Sequence, residues 1–234
     1  MVPIVTNHKG ETISDCLNCE NKQLEKEMND FVREMDAKEH EITYERYSII
    51  PEDLENASFE NYIPEHPTQK EAFKKAQYYA DFFGELDFTS LLFKGTYGIG
   101  KSHLAKAISD VVKAKGLSVI YIDLPGLLRK IRKTFNGKES ADSIYEAIEK
   151  ADLVVFDDLG AEYVKQDNGE SWVGEVLFEM FSSRTGKPKI ITTNCGSAEL
   201  KAMYGKNGPR IVSRMMKGTK AIQIDGKDMR TEEF

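Results

Sequence analysis

The chain has 234 residues, of which 40% are hydrophobic and 30% are charged, and its formal net charge is −7. These values are ordinary for a globular chain, and the length suits one sizeable α/β domain with a small appendage. No apolar run is long enough to span a bilayer, and three cysteines without a secretory signal argue against disulfides. We therefore predict a cytoplasmic protein with no membrane partner.

The charge is unevenly distributed along the chain. Residues 1–60 carry 6 Lys and Arg against 15 Asp and Glu, whereas the remaining residues carry 26 against 24. An acidic beginning before a near-neutral body predicts two parts with different tasks, and only the body could offer nucleic acid a local basic patch. We assign residues 1–50 to an N-terminal region, 51–68 to a proline-containing linker and 69–234 to the main domain.

The N-terminal region contains two cysteines with the spacing of metal ligands, followed by a segment with an amphipathic pattern. Cys16 and Cys19 have the spacing of zinc ligands, but they supply only two of the four that zinc needs, and His8 is a candidate third. The next segment predicts a helix over about residues 20–40. Its apolar stripe consists of Leu24, Met28, Phe31, Val32 and Met35. This stripe could pack on the body, self-associate or bind a partner.

A phosphate-binding loop follows the first predicted strand, residues 89–93. The loop fits the pattern G-x-x-x-x-G-K-S/T and consists of Gly95, Thr96, Tyr97, Gly98, Ile99, Gly100, Lys101 and Ser102. Its glycines allow backbone N–H groups to surround the phosphates of a nucleotide, Lys101 adds positive charge, and Ser102 offers a hydroxyl to Mg²⁺. His103 opens a helix whose N-terminus favours bound phosphate, so His103 joins the predicted nucleotide site.

A basic helix is predicted over residues 124–135, after a strand over 117–122. It carries Lys130, Arg132 and Lys133 beside Phe135. Basic side chains next to an aromatic ring suit single-stranded nucleic acid, because the charges follow the backbone and the ring stacks on a base. The alternative is an ordinary exposed basic helix with Phe135 in the core.

Polar side chains end two later strands. Asp157 and Asp158 follow the apolar strand 153–156, and Asn194 follows the strand 189–193. Asp157 would hold Mg²⁺, Asp158 would orient or activate an attacking water, and Asn194 would sense the terminal phosphate. The alternation of strands with helices predicts an α/β fold with a mainly parallel sheet covered on both faces.

Two arginines stand one helical turn apart near the end of the main domain. Arg210 and Arg214 are at positions i and i+4 of a predicted helical segment. Guanidinium groups stabilise the charge that develops on a transferred phosphoryl group, often from a neighbouring subunit. The spacing alone is equally typical of a solvated basic helix.

The order of these motifs resembles the AAA+ ATPases, and more closely the DnaC/DnaI-type helicase loaders, from about residue 57 to residue 230. The resemblance assigns the loop to the family's Walker A motif, Asp157 and Asp158 to Walker B, and Asn194 to sensor 1. It places Arg214 at the arginine finger with Arg210 one turn earlier. Arg230 resembles the arginine of sensor 2, which would also contact the nucleotide.

The resemblance implies a function for the whole chain. It implies that ATP and Mg²⁺ bind at subunit interfaces, that the helix through Arg132 and Phe135 contacts single-stranded DNA, and that the N-terminal region binds a replicative helicase. AAA+ proteins usually carry Glu where this chain has Asp158, so we expect slow hydrolysis, and we expect no C-terminal lid. The alternatives are a transposase-helper ATPase, which would prefer duplex DNA, and a nucleotide-gated adaptor that does not hydrolyse ATP. The short acidic beginning would suit a phage-encoded loader.

Overall fold

The computed structural model describes residues 8–9, 17–134, 142–166 and 170–228. Contacts between residues divide the chain into two units, Met1–Glu39 and His40–Phe234. The first helix, α1 (Leu17–Tyr47), begins in the first unit and extends the amphipathic helix that the sequence predicts. The apolar stripe defined above is more than half exposed at each of its five residues. Among the described helices, none combines the length and apolar character that crossing a membrane requires.

The second unit alternates strands and helices, which confirms the predicted α/β class. Its elements are α2 (Pro67–Asp81), β1 (Ser90–Lys94), α3 (Lys101–Ala114), β2 (Val119–Asp123), α4 (Leu124–Thr134), α5 (Asp142–Lys150), β3 (Leu153–Leu159), α6 (Trp172–Ser183), β4 (Lys189–Thr193), α7 (Ser197–Met203), α8 (Gly208–Met216) and β5 (Thr219–Gln223). The five strands form one parallel sheet in the order β2-β3-β4-β1-β5.

The strands alternate their side chains between two hydrophobic layers, because successive residues of a strand point to opposite faces. On one face, Leu92, Ile122 and Phe156 belong to a buried cluster that includes residues from α4 to α8. On the other face, Phe93 and Tyr121 belong to a cluster that includes residues from α2 and α3. The near-continuous apolar strands of the sequence therefore reflect burial on both faces.

The segment before α2 packs into the second layer. Leu54, Ala57 and Tyr62, which the sequence analysis places in the linker, are buried beside α2 and α3. The His66 side chain accepts from the Thr68 N–H and so caps α2, while the side chain of Gln69 accepts from the His66 N–H. These caps satisfy backbone donors that the first helical turn leaves unpaired, and they fix the path of the chain past Tyr62.

The carboxyl ends of all five strands meet at one edge of the sheet. The sheet order makes β1 a neighbour of β4, although about a hundred residues separate them, so the chain after β1 must cross over β4 and β3 to reach β2. A crevice outside the carboxyl ends of the strands is where open α/β sheets bind ligands. The ends of β1, β3 and β4 deliver the predicted polar residues to this edge.

Candidate nucleotide-binding site

The loop between β1 and α3 requires glycine for both its conformation and its packing. Gly98 and Gly100 have φ angles of 69° and 86°, in the region that other residues rarely adopt. A Cβ atom at Gly100 would overlap the ring of Tyr62, and one at Gly98 would overlap the carboxylate of Asp228. The backbone is therefore held in a tight turn by neighbours on two sides, as a phosphate cradle requires.

Lys101 connects the loop to the end of β4. Its side chain is buried, and its Nζ donates to the carbonyl oxygen of Thr96 at 2.5 Å and to Oδ1 of Asn194 at 2.7 Å. The structure thus brings together a loop lysine and a residue 93 positions further along the chain. These contacts hold the ammonium group at the mouth of the loop, where phosphates would meet it.

Asp157 is buried and surrounded by hydroxyl groups. Thr192 donates to it at 2.6 Å, and the hydroxyls of Ser102 and Tyr121 also form hydrogen bonds with it. Burial raises the pKa of Asp157, and the three hydroxyl groups offset part of that rise. A carboxylate and a serine hydroxyl side by side are hard oxygen donors of the kind that Mg²⁺ takes, so the residues present fit this ion.

Asp158 adopts a strained backbone conformation that sets it apart from Asp157. Its φ is 62°, and the register of β3 against β4 shifts between Phe156 and Leu159. The Asp158 N–H donates to the hydroxyl of Thr192 at 2.8 Å, so one threonine contacts both acidic residues. The Nδ2 of Asn194 lies 3.4 Å from Oδ1 of Asp158. Strain of this kind is typical of functional sites.

These groups face one cavity of about 520 Å³, a size typical of sites for small ligands. Its lining comprises Pro51, Asp53, Leu54, Tyr62, Tyr97, Gly98, Ile99, Gly100, Lys101, Ser102, His103, Asp123, Asp157, Asp158 and Asn194. The cavity therefore brings the predicted loop, carboxylates and asparagine together. It also contains an apolar wall, formed by Pro51, Leu54 and Tyr62, that the sequence analysis did not identify.

Asp123 is a third carboxylate in this cavity that the sequence analysis missed. It accepts from the N–H of Gly126 at 2.9 Å and lies 3.7 Å from the guanidinium of Arg129. Burial raises the pKa of Asp123, against the lowering effect of those two partners. The same reasoning that selected Asp157, a carboxylate directly after an apolar strand, would have found it.

The two candidate arginines lie outside the cavity. Arg210 is exposed and Arg214 half-buried on α8, and the described residues that line the cavity include neither of them. The opposite face of α8 is anchored in the core by Ile211, Val212 and Met215. The structure therefore does not bring these arginines to the nucleotide site of their own chain.

The candidate DNA contacts are only partly described. Lys130 and Arg132 lie on α4, and the guanidinium of Arg132 lies 5.2 Å from the centroid of the Trp172 ring. A second cavity of about 320 Å³ is lined by residues that include Arg129, Arg132, Tyr163 and Trp172. The Lys133 side chain, Phe135 and Arg230 lie outside the described residues.

The zinc prediction also lies largely outside the described residues. Cys16 is not described, and only the backbone of Cys19 is, as part of α1. Among the side chains that are described, no group of three His, Cys, Asp or Glu residues is placed to hold a metal ion.

Comparison with known proteins identifies the family. A family model for the IstB-like ATP binding protein matches residues 80–233, more than half of the chain. The chain belongs to the IstB-like ATP-binding family. This IstB-like chain is 30% identical over 187 residues to the replicative helicase loader DnaC of Escherichia coli K12. The matched segment covers 80% of this chain and 73% of DnaC. The chain is 28% identical over 220 residues to DnaC of Buchnera aphidicola subsp. Schizaphis graminum, covering 93% and 86% respectively.

The fold of the IstB-like chain agrees with these relatives. A crystal structure of the DnaC helicase loader superposes with a TM-score of 0.64 at 23% identity, covering 75% of this chain and all of that one. The resemblance to AAA+ proteins of the DnaC/DnaI type is thereby confirmed for the fold and for the family.

Proposed function

We propose that this chain is an ATP-dependent loader that places a replicative DNA helicase on single-stranded DNA during replication. The observation that carries the proposal is the single cavity that unites the phosphate loop, Asp157, Asp158 and Asn194 in a member of the DnaC-type family. A phosphate loop alone indicates only nucleotide binding. The paired carboxylates and the amide at the same edge add what hydrolysis requires.

Each residue of the cavity has a distinct proposed role. The N–H groups of the loop and of His103 bind the phosphates of ATP, while Lys101 places its ammonium against them. Ser102 and Asp157 hold Mg²⁺, which would neutralise charge on the terminal phosphates. Asp158 accepts a hydrogen bond from the attacking water and receives its proton, and Asn194 orients the terminal phosphate. Because Asp is one methylene shorter than the usual Glu, we expect slow turnover.

The arginines are proposed to complete the site of a neighbouring copy. Arg214 is absent from the cavity lining of its own chain but stands on an anchored helix, which suits a group that acts on another subunit. Arg210, one turn earlier, would approach the same nucleotide, and Arg230 would contact the nucleotide of its own chain. Self-association through the ATP sites follows from this assignment.

Single-stranded DNA is proposed to bind along α4. Lys130 and Arg132 would attract the backbone, together with Lys133 and Phe135 of the same segment. The adjoining cavity supports this assignment, because Tyr163 is 80% exposed there and Trp172 carries the guanidinium of Arg132. Exposed aromatic rings beside arginines are typical of surfaces on which bases stack.

The exposed stripe of α1 is proposed to bind the replicative helicase. Its apolar residues are more than half exposed, and an amphipathic helix of this kind commonly lays its apolar face in a groove of a partner. Zinc held by Cys16 and Cys19 within this region remains a proposal, as does cytoplasmic localisation. Unlike the nucleotide site, this surface contains no catalytic group.

The ATPase rate, measured with and without single-stranded DNA, tests the proposal. We expect a slow rate that single-stranded DNA changes and duplex DNA does not. Lys101→Ala should reduce ATP affinity at least about 100-fold, because it removes the buried charge at the phosphates. Lys113→Ala, near the other end of the same helix and outside the cavity lining, is the matched control and should bind ATP normally.

Two outcomes would replace the proposal. A stable ATP complex without phosphate release would indicate the nucleotide-gated adaptor, which the short Asp158 side chain specifically favours. A preference for duplex DNA, together with failure to co-purify with a replicative helicase, would indicate the transposase-helper function instead.

A further inference from the structure

One aromatic ring contacts both candidate arginines. The guanidinium carbon of Arg210 lies 3.8 Å from the centroid of the Phe178 ring, and that of Arg214 lies 4.5 Å from it. Both distances fall within the range of about 6 Å over which a cation is attracted to an aromatic face. Phe178 belongs to α6, so the ring reaches the arginines from a different helix.

The helix that carries the arginines is fixed, but their side chains are long. The core face of α8 is buried, and a Cβ atom at Gly208 would overlap the carbonyl oxygen of Lys201, so α8 and α7 are in close contact. An arginine side chain retains several rotatable bonds even on a rigid helix, and ordering it costs conformational entropy. The ring of Phe178 restricts this freedom for Arg210 and Arg214 at once.

The ring holds the guanidiniums without neutralising them. Within the described part of the chain neither Arg210 nor Arg214 forms a salt bridge. Arg210 donates a hydrogen bond of 3.3 Å to Oδ1 of Asn207, and this side chain is uncharged. A carboxylate in the place of Phe178 would also order the arginines, but it would compete with an incoming phosphate for them.

We propose that Phe178 is a positioning residue that orients Arg210 and Arg214 towards the ATP phosphates of a neighbouring copy. The inference rests on the proposed function, because it takes the arginines to act on another subunit. It assigns a role to Phe178 that neither its type nor its position in the amphipathic α6 indicates. In this proposal the ring contacts the arginines and not the ATP.

Replacing the ring tests the inference. Phe178→Leu should lower kcat for ATP about 3- to 30-fold, the range that corresponds to the loss of one or two cation–π contacts, and should leave ATP affinity unchanged. Phe178→Tyr keeps the aromatic face and should retain most of the wild-type rate. Phe82→Leu, at an exposed ring directly after the distant α2, is the control and should behave as wild type.

Mixing variants separates positioning from a general structural role. Lys101→Ala lacks a working nucleotide site but keeps the arginines and the ring. Phe178→Leu keeps the nucleotide site and the arginines but lacks the ring. If Phe178 acts through the arginines on a neighbour, mixing the two proteins should raise the rate per Phe178→Leu subunit towards the wild-type value. A subunit that is merely misfolded would not be rescued by its neighbour.

The outcomes distinguish this inference from the proposed function. If Arg214→Ala loses hydrolysis and is rescued by Lys101→Ala while Phe178→Leu stays fully active, the inference is wrong and the shared site stands. If Phe178→Leu loses activity and is not rescued, the ring has a structural role and the inference is wrong. If Arg214→Ala itself hydrolyses ATP normally, the shared site is wrong and the role of Phe178 falls with it.

Discussion

The two edges of the sheet bury charge in opposite ways. At the amino edge, the side chains of Arg184 and Lys189 are fully buried. The guanidinium of Arg184 donates to the carbonyl oxygens of Ile148, Glu149, Ala151, Asp152 and Pro188. At the carboxyl edge, three carboxylates of like charge surround an open cavity. At the amino edge the Nη1 and Nη2 groups of Arg184 therefore have fixed carbonyl partners, whereas the carboxylates of the other edge face an open cavity.

This difference separates a structural charge from a functional one. Through these carbonyl groups Arg184 joins α5 to the residues before β3 and before β4, so its partners are parts of the fold and not a ligand. Like charges around a cavity raise the energy of the folded protein, and a bound cation or nucleotide would relieve that cost. The comparison predicts that mutations at the amino edge change stability, whereas mutations at the carboxyl edge change activity.

The largest expected change in stability is at the amino edge. Arg184→Met should lower the free energy of unfolding by about 3–5 kcal/mol, because it leaves a group of buried carbonyl oxygens without donors. Chemical denaturation of the full chain measures this. Arg33→Met, at an exposed position of α1, is the control and should change stability by less than about 0.5 kcal/mol. A small loss for Arg184→Met would show that the amino edge is not a structural centre.

An effect of intermediate size on the free energy of unfolding is expected at the amino edge, where it depends on pH. Burial, helped by the nearby Arg184, lowers the pKa of Lys189 to about 8, against 10.5 for an unfolded lysine. Between these values the unfolded chain binds more protons than the folded one, so the free energy of unfolding rises with pH. From pH 8 to about 9.5 we expect a gain of about 1–2 kcal/mol from this group. Lys189→Met should remove this slope, and an unchanged slope would contradict the assignment.

The smallest expected change in stability is at the carboxyl edge. Asp158→Asn should raise the free energy of unfolding by about 0.5–1 kcal/mol, because it removes a negative charge beside Asp157 and asparagine tolerates the same positive φ. The same variant should bind ATP and lose hydrolysis. Asp87→Asn, at an exposed position, should change neither property. Destabilisation by Asp158→Asn would show that this carboxylate has a structural role and would weaken the comparison.

Local sequence patterns were sufficient to predict much of the candidate nucleotide site. The loop of residues 95–102 and the acidic pair after β3 each occupy consecutive positions, so their chemistry can be predicted without knowing the fold. Asn194 required one further assumption, that parallel strands end at the same edge. The structure confirms that these groups share a cavity, while their roles in hydrolysis remain predictions.

Contacts between distant elements could not be predicted in this way. Thr192 contacts both carboxylates only because β4 pairs with β3, and Phe178 meets the arginines only because α6 packs beside α8. The edge strand β5 has just one buried residue, Ile222, among its five positions, so it carries no clear hydrophobic signal. Tertiary pairing determines all three features, whereas the sequence patterns record only local periodicity and composition.

A helicase-loading assay on circular single-stranded DNA tests the central claim most directly. The purified replicative helicase from the source cell is mixed with the chain, ATP and the DNA circle, and helicase retained on the circle is measured. We expect retention with the wild-type chain, little with Lys101→Ala, and normal retention with Lys113→Ala. Equal retention with Lys101→Ala, or no dependence on the chain at all, would contradict an ATP-dependent loader.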